Sequence, residues 1–146
     1  MKKIYTIGFT KKTAQEFFSL LDEHKVTKLV DVRLNNTSQL AAFSKFPDIA
    51  FFLEKILGIT YYHDAEFAPT ADILQRYKKK EIDWTQYETE FNRLMEKRDI
   101  FKHIKHEYPT VDGLCLLCSE PLPDKCHRRL AAELFAKVYQ PEIVHL

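Results

Sequence analysis

Five short apolar runs recur along the chain, separated by stretches whose apolar residues fall three and four positions apart, and this alternation constrains the fold more than any other feature. Ile4 to Gly8, Lys28 to Arg33, Ile59 to His63, Leu114 to Cys118 and Glu142 to Leu146 read as strands. The second and fourth are almost continuously apolar at their cores, the pattern of strands covered on both faces of a parallel sheet. Between the strands, Thr13 followed by Glu16 fits a capping box for a helix presenting Phe17, Phe18, Leu20 and Leu21. From Pro47, the residues Ile49, Phe52, Leu53, Ile56 and Leu57 repeat at helical spacing, with Gly58 where a C-terminal cap belongs. Ile73, Leu74 and Tyr77 form one stripe, and Trp84, Tyr87, Phe91, Leu94 and Met95 a longer one that reads as core packing. A short helix carries Phe101, Ile104 and Tyr108, and a last one Leu130, Ala131, Leu134, Phe135 and Val138. Strands alternating with helices predict an α/β, Rossmann-like fold: a mainly parallel sheet of about five strands, helices on both faces and right-handed crossovers.

With 146 residues, three glycines and no Gly-, Ser- or Pro-rich stretch, residues 1–146 read as a single domain. Lys and Arg number 22 against 21 Asp and Glu, which argues against nucleic-acid binding through bulk charge alone and leaves room for a local basic patch. Apolar runs fall short of the ~20 residues of a membrane span, and Met1, Lys2 and Lys3 precede too short an apolar stretch for a signal peptide. A soluble, cytoplasmic chain with no membrane partner is expected. Three cysteines are too few for a disulfide scaffold and fit free thiols.

In open α/β sheets ligands bind beyond the carboxyl ends of the strands. There the sequence places Gly8, Phe9 and Thr10 after the first strand, Asp31 and Arg33 on the second, His63 on the third, and Cys118, Ser119 and Glu120 on the fourth. The segment from Cys118 to Arg128 reads C-x-E-x5-C-H-R, gathering two thiols, a carboxylate, an imidazole and a guanidinium in one strand-loop-helix turn. With Asp124 as N-cap, Cys126 and His127 occupy a first helical turn, where unpaired N–H groups and Arg128 and Arg129 favour a thiolate and would also hold an anion. Plainer readings stand beside these. Cys115, and with even claim Cys118, can be small hydrophobes. Cys115 and Cys118 lie three apart on a strand and so point to opposite faces, a poor metal knuckle. Cys118, Cys126 and His127 lack a clear fourth zinc ligand, so no metal is expected. His127 can be a core histidine donating to a buried acceptor such as Asp31, and Asp31 with Arg33 a simple ion pair. His103 and His106, flanked by Lys102 and Lys105, read as a solvated face, as does Lys78, Lys79 and Lys80, where nearby Tyr77 and Trp84 permit a nucleic-acid contact.

The chain resembles the domain-of-unknown-function family number 488 over nearly its whole length, from Ile4 to His145. The resemblance rests on Thr6, Ile7 and Gly8; Asp31, Val32 and Arg33; Leu57, Gly58, Ile59 and Tyr61; and Cys118, Glu120, Cys126, His127 and Arg128. It implies a small α/β domain with these residues clustered, and brings no activity, cofactor or substrate with it. Two departures stand out: Phe9 and Thr10 replace a His and a Ser, and Phe67 and Ala68 replace a Gly pair. The reading that follows is an enzyme using Cys126 or Cys118 as thiolate on an anionic small molecule or nucleic-acid fragment. Arg128 and Arg33 would hold the anion, Glu120 would orient Arg128 or act as acid or base, and His127 would carry protons or orient. Asp31 would fix Arg33 or His127, with Gly8, Thr10 and Ser38 completing the binding loops. The alternatives are a non-catalytic phosphate or nucleic-acid binding module, or a redox or metal-linked Cys118–Cys126 site.

Overall fold

A computed structural model describes residues 2–119 and 125–146. Its strands are β1 (Lys3–Gly8), β2 (Lys28–Asp31), β3 (Thr60–His63), β4 (Leu114–Cys118) and β5 (Glu142–His145). Its α-helices are α1 (Ala14–Glu23), α2 (Asp48–Phe52), α3 (Ala71–Lys78), α4 (Trp84–Lys97), α5 (Ile100–Glu107) and α6 (His127–Tyr139). The strands form one sheet in the order β3-β2-β4-β1-β5, and every pairing is parallel.

Strand alternation sorts the core into two layers. Leu114, Leu116 and Cys118 of β4 join Ile4, Val30 and the apolar faces of α3 to α6, including Phe91, Met95, Leu130 and Phe135. Cys115 and Leu117 face the other way, with Ile7 and Leu29, onto Phe17 and Leu21 of α1 and Ile49 and Leu53 beyond β2. Cys115 and Cys118 therefore lie on opposite faces, as residues three apart on a strand must. Among the described residues no helix is long and apolar enough to cross a membrane.

Local chemistry accounts for the boundaries. The Thr13 hydroxyl accepts the Glu16 N–H at the start of α1 but donates to the Glu16 carboxylate, so only half of the capping box forms. Asp83 and Gln86 make the complete box on α4. The helix begun by α2 continues as a π turn over Leu53–Leu57 and stops at Gly58, which takes φ 67°. A Cβ on Gly58 would meet nothing within 4 Å, whereas on Gly113, at φ 73°, it would sit 2.3 Å from Thr27 Oγ1. Gly58→Ala is thus expected to cost about 1–2 kcal/mol of backbone strain, and Gly113→Ala clearly more, because Thr27 and Lys28 both donate to the Gly113 carbonyl and cannot withdraw. Urea unfolding of the two variants measures the difference.

The topology also says where a site belongs. The chain leaving β2 runs outward to its neighbour β3, while the chain leaving β4 runs the other way, past β1 to β5. Adjacent parallel strands whose connections part in this manner open a crevice at their carboxyl ends.

Candidate functional site

That crevice is occupied by side chains from both strands. Past β2, Arg33 is held by Asp31: Nε donates to Oδ1 at 2.8 Å and Nη2 to Oδ2 at 2.7 Å, while the backbone N–H of Arg33 also reaches Oδ1. Ser44 takes two further bonds through its hydroxyl and carbonyl. Four of the five guanidinium N–H groups are thereby committed. Tyr61 donates to the same carboxylate at 2.5 Å, and the Phe9 ring lies 5.4 Å from the guanidinium carbon. Asp31 is fully buried and Arg33 only 3% exposed. Burial opposes the Arg33 charge, but the bonds and charge of Asp31 outweigh it and hold the guanidinium above its ordinary pKa. The same burial and the Asp31 charge push the Tyr61 phenol well up.

Across the crevice, Cys118 ends β4 and Cys126 occupies the N-cap position of α6. Nε2 of His127 lies 2.6 Å from the Val32 carbonyl oxygen, which can only accept, so that nitrogen carries a proton. The other ring nitrogen, Nδ1, is 3.4 Å from Cys118 Sγ. Burial disfavours the Cys118 thiolate, but the Cys126 thiol, the Ser119 N–H and the Arg128 charge together outweigh it and lower its pKa. Cys126 moves the opposite way. Its hydrogen is engaged by Cys118, and burial adds to the effect, so its thiol is held up. The helix N-terminus was expected to activate Cys126, whereas the balance of burial and hydrogen bonding here favours its partner. Cys115, wholly buried on the far face, is also pushed up.

These groups line a cleft of about 230 Å³ whose walls include Arg33, Leu34, Leu74, Tyr77, Trp84 and Tyr87, with Lys78 and Lys125 at its polar margin beside Cys118, Ser119, Cys126 and His127. Cys118, Cys126 and His127 place their ligating atoms within 4.8 Å of one another. Among the described residues they supply three donors, one short of a closed structural zinc site.

Several expected participants lie elsewhere. Arg128 is fully buried and its Nε donates to Thr6 of β1, so it acts on Cys118 through its charge and does not line the cleft. His127 donates to Val32 and not to Asp31. Gly8 pairs with Cys118, and its carbonyl accepts from Lys12. Both donors of Thr10 go to the Ser119 carbonyl, so this loop has little left to offer an anion. Ser38 is exposed and caps the 3-10 turns of Gln39–Ser44. Glu120 and Asp124 lie outside the described residues, and the N-cap place expected of Asp124 is taken by Cys126, so the helix starts two residues later than the sequence suggested.

One cluster escaped the sequence reading. His103, expected on a solvated face, is 2.7 Å from the buried carboxylate of Asp64, which also accepts from Tyr108. Their separation in sequence gave no signal. Trp84, expected in core packing, does pack against the core, and being half-buried it also lines the cleft beside the lysine run. Phe67 and Ala68, which depart from the Gly pair, are core residues, Phe67 stacked on Phe135.

Neither the curated proteins nor the solved structures searched contain a match to this chain. A family model does match, over residues 13–135, from the cap of α1 to the buried face of α6, and it spans Arg33, both cleft thiols and His127. The chain belongs to the family described as Domain of unknown function DUF488.

Proposed function

We propose that the chain is an enzyme that uses the Cys118 thiolate on an anionic, nucleotide-like substrate held in the cleft. The carrying observation is the 3.4 Å approach of Cys118 Sγ to His127 Nδ1 inside a cleft that also presents Arg33. In this reading His127 takes the thiol proton at Nδ1 while its Nε2–H stays anchored on Val32, a thiol–imidazole pairing suited to nucleophilic catalysis. Asp31 fixes the Arg33 plane and leaves one guanidinium N–H for the substrate. Cys126 is a positioning residue that donates to the Cys118 sulfur. Glu120 keeps the acid–base or Arg128-orienting role that the motif suggests.

Iodoacetamide labelling across pH, read by peptide mass spectrometry, tests this. Only the thiolate reacts, so a lowered pKa keeps the rate high as pH falls below the ordinary thiol value of ~8.5. Cys118 is expected to label first and to remain reactive at neutral pH. A midpoint at or above the ordinary value, or Cys126 labelling first, overturns the reading. Native mass spectrometry of the same sample adds a check: a bound metal ion shielding both thiols would replace the thiolate by a metal centre.

A further inference from the structure

The cleft does not end at its own walls. A second depression of about 650 Å³ adjoins it and shares Tyr77, Lys78, Trp84 and Lys125 with it. Alone, the first cavity is smaller than the ~300–1,000 Å³ usual for small-molecule sites; joined, the two form a groove running from the thiols past the start of α4. Trp84 stands where they meet. Its ring is stacked on Tyr87 at 4.8 Å and 16°, with Tyr77 edge-on at 5.7 Å and 62°. An indole stacked on one neighbour and packed crosswise against another is a preformed platform that loses little side-chain freedom when something stacks on it.

The charged groups along the groove are Lys78, Lys80 and Lys125 against Glu81 and Asp83. None of the three lysine side chains has an ion-pair partner among the described residues. Asp83 is committed to capping α4 through the Gln86 N–H. Arg33, at the thiol end, is neutralised by Asp31. Lysines without ion-pair partners beside an aromatic platform match a ligand that repeats a flat ring and an anion along its length.

We infer that this groove binds single-stranded nucleic acid, a base stacking on Trp84 and successive phosphates meeting Lys78, Lys80 and Lys125. A duplex buries its base faces and offers nothing to the indole; a mononucleotide would use one cavity and leave the other empty; an acidic peptide would use the lysines and ignore the indole. The inference rests on the proposed function only in taking the substrate at the thiol end to be an anion.

Trp84 is the only tryptophan in the chain, so its fluorescence reports directly on stacking. The experiment titrates the full-length protein with thymidine monophosphate and with oligothymidylate of about four nucleotides, the lower end of the span one such site covers. The expected result is quenching, tighter binding of the oligomer, and a fall of log affinity with log salt of slope roughly −2, from about 0.7 per phosphate contact on single strands at three lysines. Lys78→Gln and Lys125→Gln, both at exposed positions that should not disturb folding, should each reduce that slope by about 0.7. Trp84→Ala, which removes the reporter and is therefore titrated through the fluorescence anisotropy of a dye-labelled oligomer, should weaken binding about tenfold. Equal affinity for monomer and oligomer, binding without quenching, or polyglutamate binding as well as the oligomer would each overturn the inference. The two proposals fail separately. Oligomer binding with an ordinary Cys118 pH profile removes the thiolate enzyme and leaves the groove, whereas a reactive Cys118 with no oligomer binding removes only the groove.

Discussion

Asp31→Ala is expected to destabilise the fold by about 3–5 kcal/mol, the range for removing one partner of a buried ion pair. The cause is what remains. Arg33 would keep its charge at 3% exposure with both of its carboxylate bonds gone, and Tyr61 would lose its acceptor. Ser44 still accepts two guanidinium bonds but cannot balance the charge. The loss should appear as a lower urea midpoint with an unchanged slope, since the amount of surface exposed on unfolding stays the same. The double variant Asp31→Ala, Arg33→Met should recover much of it, because removing both partners abolishes the unpaired charge. A loss below about 1 kcal/mol, within the range of an exposed pair, would show that the pair is far more solvated than its burial indicates.

The second large effect concerns reactivity. Cys126→Ala removes the thiol hydrogen that favours the Cys118 thiolate, leaving burial, the largest influence and an opposing one, less well balanced. The Cys118 pKa rises, so at fixed neutral pH the thiolate fraction falls and the alkylation curve moves to higher pH. A hydrogen bond to a charged group is worth about 1.5–3 kcal/mol, which moves the midpoint of the alkylation curve up by about one to two pH units. Cys126→Ser keeps a donor at the same place and should restore most of the rate. The full pH profile is the proper readout, because truncation to alanine also opens space beside Cys118 and could raise access without changing its ionisation. A profile unmoved by Cys126→Ala would remove Cys126 from any part in activating its neighbour.

Much of the fold was legible because strand burial writes itself into composition. The continuous apolar stretch in β4 announces a strand covered on both faces, and all five of its residues are buried. The helical stripes and Gly58 marked the other elements to within a few residues. The gathering of Arg33, Cys118, Cys126 and His127 was also visible, since strand ends in such a sheet point to one rim. Less visible was which thiol gains. Position at a helix start argues for Cys126, but the outcome turns on which sulfur donates to the other, a matter of side-chain geometry that spacing does not encode. The same holds for Arg128, whose motif position suggested ligand binding and whose side chain instead runs beneath β1 to Thr6. Asp64, His103 and Tyr108 meet across 44 positions and leave no local pattern at all.

The position of β4 between β2 and β1 bears on how the molecule is made. Tyr5 first finds a strand neighbour at Cys115, 110 positions later, and β1 meets its other neighbour only at residues 142–145. Ribosomes add about 5–20 residues per second, so the first strand emerges and waits roughly 5 to 20 s with both edges bare. During that interval β2 and β3 can pair only with each other. Assembly of this domain is therefore held back until its last third has been translated, and the nascent chain is the form most open to holdase chaperones and to mispairing with other unfinished copies.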